Sequence, residues 1–72
     1  MPITNEQLEN WFTYHTPTPD LLPKYQAIRE AGLNLAMVIV VNTPPSADQT
    51  DAVRKVREAC MTANASIACG GK

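Results

Sequence analysis

Between Lys24 and Val41 the small and apolar positions Tyr25, Ile28, Gly32, Leu35 and Ile39 step by three, four, three and four. That spacing is one face of an α-helix. Leu33, Ala36, Met37 and Val40 make a second apolar strip, so the predicted helix is greasy nearly all round towards its C-terminal end. The β-branched run Val38 to Val41 has strand composition, but the longer helical periodicity outweighs it. The same three-four spacing returns in Val53, Val56, Cys60, Ala63 and Ile67, while Leu8, Trp11 and Phe12 share one face of a short first helix.

The boundaries are marked by capping and breaking residues. Thr4-Asn5-Glu6-Gln7 reads as a capping box, and Thr16-Pro17-Thr18-Pro19 stops the first helix, because a proline biases its predecessor away from helical angles. Asp20 to Pro23 approaches the next helix, with Pro23 tolerated in its first turn. Asn42-Thr43-Pro44-Pro45 breaks the chain again. Ser46-Ala47-Asp48-Gln49 reads as a second capping box, with Asp48 and Asp51 at the positive end of the helix dipole. Gly70-Gly71 ends the last helix. The pattern predicts an all-α chain: a short helix over about 4–12 and long helices over about 23–41 and 47–68. A short connection favours antiparallel pairing of the long two, giving a single helical-hairpin domain over residues 1–72. Asp51 with Lys55, and Arg54 with Glu58, are expected i,i+4 ion pairs.

Length changes this picture. At 72 residues a single core is marginal and a staple or a partner is expected. The two cysteines, Cys60 and Cys69, are nine residues apart, which on a helix is too far for a disulfide. The single histidine, His15, is remote from both, so no metal-ligand spacing exists and no cofactor is implied. Self-association is left. Ala52, Ala59, Ala63, Ala65, Ser66 and Ala68 would let another backbone approach the last helix. The double apolar strip of the first long helix exceeds what one neighbour covers. A homo-oligomeric helical bundle is therefore expected.

Charge and hydropathy narrow the partners. Six Lys/Arg against seven Asp/Glu argue against nucleic-acid polymers, whose affinity comes from many phosphate contacts. A small anionic ligand remains open to one or two arginines. The longest apolar run, Leu35 to Val41, is seven residues, far short of a membrane span, and the polar stretch after Met1 does not resemble a secretion signal. A soluble, cytoplasmic protein is expected. No catalytic constellation emerges, since His15 lacks an evident nucleophile: Cys60 falls on the buried seam and Cys69 at a frayed helix end.

The chemistry-bearing cluster is Trp11-Phe12-Thr13-Tyr14-His15 beside a proline-rich loop. Its rings suit base stacking, worth about 1–3 kcal/mol per base. They equally suit packing, and Trp11 and Phe12 are expected to plug the open end of the hairpin. Tyr14 and His15 carry polar ends just beyond that pair and fit either role. Arg29 could fork a phosphate with its planar guanidinium, although a lone helical arginine is ordinarily solvated and paired with a nearby acid. Lys24 would add a point charge or simply meet solvent. Asn64, set among alanines, is expected to make a buried hydrogen bond at a subunit interface.

The segments Phe12-Thr13-Tyr14-His15-x-Pro17, Lys24-Tyr25-x-x-Ile28-Arg29, Pro45-Ser46-x-x-Gln49 and Ala63-Asn64-Ala65-Ser66-Ile67-Ala68 occur in this order. Together they resemble the phage hairpin domain of cyclic-nucleotide sponges, the anti-CBASS protein two family and its relative, the first Thoeris anti-defence protein. The resemblance spans roughly residues 8 to 68. It implies a homo-hexamer that sequesters cyclic oligonucleotide second messengers, cyclic dinucleotides foremost, without cleaving them, and so blocks bacterial immune signalling. It carries a base-stacking role onto Tyr14 and a phosphate-binding role onto Arg29; His15 and Lys24, close to these two in sequence, are expected as weaker flanking contacts. The family's arginine near the start of the last helix has no counterpart here. The rival reading is a helical oligomerisation or protein-interaction module with no nucleotide ligand.

Overall fold

The computed structural model describes residues 2–72 and contains three helices: α1 (Asn5–Phe12), α2 (Leu22–Asn42) and α3 (Ala47–Ala68). Among the described residues there is no strand, and Val38 to Val41 continue α2 as helix. The N-terminal capping box of α1 is complete. The Gln7 amide donates to Thr4 Oγ1 at 3.1 Å, and the Thr4 amide donates to Gln7 Oε1 at 3.0 Å. Pro23 sits in the first turn of α2, where a missing N–H breaks no helical bond. α3 ends in a Schellman turn at Gly70 (φ 66°) and Gly71 (φ 78°), whose amides donate back to Ile67 and Ser66.

The second expected capping box is only half formed. Ser46 Oγ accepts from the Gln49 amide at 3.1 Å, but the Gln49 side chain does not reach back to the Ser46 amide. Its Nε2 instead donates to Val40 O, Thr43 O and Thr43 Oγ1, at 3.3, 3.1 and 3.1 Å. The open carbonyls at the end of α2 outcompete an amide, and Gln49 becomes a clamp across the turn. The four-residue link 43–46 then sends α3 back antiparallel along α2.

The seam between α2 and α3 follows the sequence stripes with one exchange. Tyr25, Ile28, Gly32 and Ile39 face Val53, Val56, Cys60, Ala63 and Ile67, all partly buried. Leu35, expected on this seam, is half exposed, and Ala36 takes its place. A seam this close admits small side chains near the crossing, where a Cβ on Gly32 would overlap the Cys60 sulfur. On the solvent side Lys55 Nζ meets Asp51 at 2.7 Å. The expected Arg54–Glu58 pair is not formed among the described residues; with base preceding acid it has the weaker orientation on a helix.

No described residue is fully buried. The Cα radius of gyration is 15.3 Å, against about 11 Å for a compact domain of this length. The accessible surface is 5971 Å², whereas a compact monomer of 7.9 kDa exposes about 4,400 Å². The excess, about 1,500 Å², matches what roughly two standard protein interfaces remove from one partner. Leu33, Met37, Val40 and Val41 account for much of the exposed apolar surface. Among the described residues no helix is long and apolar enough to cross a membrane.

Candidate ligand-binding site

Tyr14 is positioned by what happens on either side of it. α1 stops where Thr13 turns to extended angles (φ −98°, ψ 137°) and its hydroxyl donates back to Glu9 O. One residue beyond Tyr14, His15 Nε2 donates to Asn10 O at 2.7 Å; a carbonyl can only accept, so the proton sits on Nε2. Asn10 Nδ2 in turn donates to Cys69 O at 3.2 Å, and the Cys69 thiol points back to Asn10 O at 3.8 Å. Trp11 Nε1 donates to Lys72 O at 3.3 Å. These bonds hold α1 and the following loop against the C-terminal end of α3. Cys69, expected at a frayed end, is thereby fixed.

The result separates the four aromatic and imidazole side chains by role. His15 is spent on holding the loop. Trp11 is half exposed and anchors the end of the chain. Phe12, expected to plug the hairpin, is 84 % exposed, because α1 lies over the end of α3 rather than over the seam. Tyr14 is 82 % exposed between the Thr13 turn and the anchored His15, and its side chain has no hydrogen-bond partner among the described residues. Its ring presents both a face and a hydroxyl to solvent.

Arg29 lies about two turns into α2 and lines a groove of about 250 Å³ between α2 and α3. Leu33, Val53 and Val56 give that groove an apolar wall, and Asn64 closes one part of it. The Asn64 Oδ1 is buried with no donor among the described residues. Tyr14 is not among the residues that line this groove, so Tyr14 and Arg29 do not share it within one chain. Lys24 stands near Asp20, whose carboxyl is held below its ordinary range by the Thr18 hydroxyl, its own backbone N–H and, more weakly, the Lys24 charge.

A second arginine lines the same groove from α3, Arg57. The sequence carries a signal for it that composition hides. Arg57 has Val53, Arg54, Cys60 and Met61 at the three- and four-residue positions, and Arg29 has Tyr25, Gln26, Gly32 and Leu33. Neither therefore has an acid within reach on its own helix. Lys55 has Asp51, and Glu30 beside Arg29 is engaged by Gln26 Nε2 at 2.9 Å. A groove with an apolar wall, lined by two arginines that make no ion pair among the described residues, can hold an anion carrying a flat or apolar body.

No curated protein and no solved structure matches the chain at a significant level. A family model does match, that of the Acb2/Tad1 hairpin domain, over residues 4–68. The match begins at the Thr4 cap of α1 and runs to the last residue of α3, taking in the Tyr14 loop, both long helices and the Gln49 clamp. This chain belongs to the Acb2/Tad1 hairpin-domain family.

Proposed function

We propose that the protein is a phage-type sponge that binds cyclic oligonucleotide second messengers, cyclic dinucleotides foremost, and withholds them intact from CBASS-like bacterial immune signalling. The observation that carries this reading is the family match over residues 4–68 together with the state of its two recognition groups: Tyr14 is held out as a free ring and Arg29 is without an acidic partner. Tyr14 stacks on a base. Arg29 forks a phosphate. Because the two do not share a cleft within one chain, a second copy completes the pocket.

The assembly belongs to the same proposal. The unburied apolar strip of α2 and the surface excess of about 1,500 Å² support a homo-oligomer, a hexamer in the form that the family resemblance implies. His15 and Lys24 flank the pocket, His15 through loop position and Lys24 as a charge shared with Asp20. The protein acts in the cytoplasm of the bacterial host, where such messengers are made, and it acts by stoichiometric capture rather than catalysis.

The test is a thermal-shift screen of the assembled protein against cyclic di- and trinucleotides, followed by denaturation of a saturated complex and analysis of what is released. A ligand bound only by the folded state raises the melting temperature, by a free energy of RT ln(1 + [L]/Kd). Recovery of intact cyclic dinucleotide is the expected result. Linear product in excess over protein would mean an enzyme. No shift with any member of the panel would leave a helical oligomerisation module without a nucleotide ligand.

A further inference from the structure

We infer that Arg57 is a second phosphate-binding residue, and that the α2–α3 groove holds one phosphate between the guanidiniums of Arg29 and Arg57. The inference rests on the sponge reading for the identity of the natural ligand, but the anion site itself stands on the groove.

Three observations converge. Arg29 and Arg57 come from different helices and line one groove of about 250 Å³. Neither makes an ion pair among the described residues, and helix spacing gives neither an acid at three or four positions. The groove between them is walled by Leu33, Val53 and Val56, with little polar surface to compete for the guanidinium N–H groups. Two arginines that line one groove without ion-pair partners among the described residues leave like charges on either side of it. An anion bound between them would offset both charges. The ordinary fate of a helical arginine, a salt bridge to a neighbouring carboxylate, is closed to both.

A phosphodiester suits this arrangement: its two non-bridging oxygens share the negative charge and diverge from a tetrahedral phosphorus, so each can accept from a guanidinium on a different helix. In a cyclic dinucleotide, one phosphate would sit between Arg29 and Arg57, the apolar wall would take part of the sugar–base body, and Tyr14 of another copy would stack on a base. The position of Arg57 on α3 thus makes the site two-sided: it clamps the ligand across the hairpin seam rather than along α2 alone.

The experiment follows the Arg29 and Arg57 Nε–Hε resonances by NMR while the intact protein is titrated with a cyclic dinucleotide and, separately, with inorganic pyrophosphate. Affinities of Arg29→Ala, Arg57→Ala, Arg57→Lys and Tyr14→Ala are measured alongside. Both Arg resonances should move with both probes. Arg57→Ala should weaken cyclic dinucleotide binding by about ten- to a hundredfold, and Arg57→Lys by less, since it keeps the charge and loses the fork. Arg57 is on the exposed side of α3, so circular dichroism should show unchanged helicity. If Tyr14→Ala and Arg29→Ala weaken binding while Arg57→Ala leaves it unchanged, the inference is overturned and the sponge reading stands. If no cyclic dinucleotide binds but pyrophosphate still moves both arginine resonances, the sponge reading fails and the anion groove stands. An Arg57 resonance unmoved by either probe overturns the inference outright.

Discussion

Gly32 of α2 lies so close to Cys60 of α3 that a methyl group on the glycine would overlap the cysteine sulfur. The same thiol leans towards Ile28 O, at 3.8 Å, one turn earlier on α2. Glycine within a helix costs about 0.5–1 kcal/mol relative to alanine. At this crossing that cost is offset by a backbone approach that no larger residue permits.

Gly32→Ala should therefore destabilise the hairpin despite its better helix propensity. Overpacking costs about 1–3 kcal/mol, and the gain in propensity returns up to about 1. The double variant Gly32→Ala/Cys60→Ala removes the clash and should recover most of the loss. Urea denaturation at one fixed protein concentration measures both. A Gly32→Ala single variant more stable than the parent would show that Cys60 swings aside freely.

Gln49 gives a test with an unusual sign. A glutamate there would be a standard capping-box residue near the positive end of α3, where acid is ordinarily stabilising by about 0.3–1 kcal/mol. Here the side chain must donate to Val40 O and Thr43. A carboxylate cannot donate, so Gln49→Glu should lower the melting temperature, as should Gln49→Ala, by about 1 kcal/mol equivalent. Stabilisation by Gln49→Glu would mean that the capping box, not the clamp, governs the turn.

Assembly should depend on residues that look like surface in one chain. Met37 is 58 % exposed on the unpartnered strip of α2. Met37→Lys leaves the hairpin seam untouched, and should lower the mass seen by light scattering towards that of the single chain. An unaltered mass would place the contact elsewhere.

Two exposed groups set a weak pH dependence. Asp20 is held below its ordinary value of 3.8 by Thr18, so its contribution is present above that value and is lost as pH falls through the lower folded pKa. Lys55 is raised above 10.5 by its hydrogen bond to Asp51, so its contribution is present below that value and is lost as pH rises through the higher folded pKa. Asp20→Asn should flatten the acid limb of the stability profile, and Asp51→Asn the alkaline limb. Both effects should shrink in high salt, because both groups are fully solvated.

Local periodicity makes the helices legible in the sequence: their stripes, Pro23, and the Thr4 and Gly70-Gly71 caps all depend on residues within a turn or two. What eluded the sequence depended on residues far apart in the chain. Leu35 and Ala36 are neighbours on the helix, and only the closeness of α3 decides which faces it. Phe12 reads as a plug until α1 is placed over the end of α3 by Asn10 and Cys69, fifty-nine positions apart. Gln49 changes role because the carbonyls ending α2 come within reach of its side chain. Arg57 stood in plain view, its isolation from acids readable at three- and four-residue spacing, but its convergence with Arg29 needed the groove.

That no described residue is fully buried also bears on the route to the native state. The apolar strip on α2 stays exposed after the hairpin closes, so only a collision between molecules could remove it from water. On the assembly proposed above, the later phase of folding is second order: its rate climbs with concentration, and dilute or newly made chains linger as open hairpins with Leu33 and Val41 exposed. The level of synthesis, rather than the sequence alone, would then set how quickly the assembled protein accumulates.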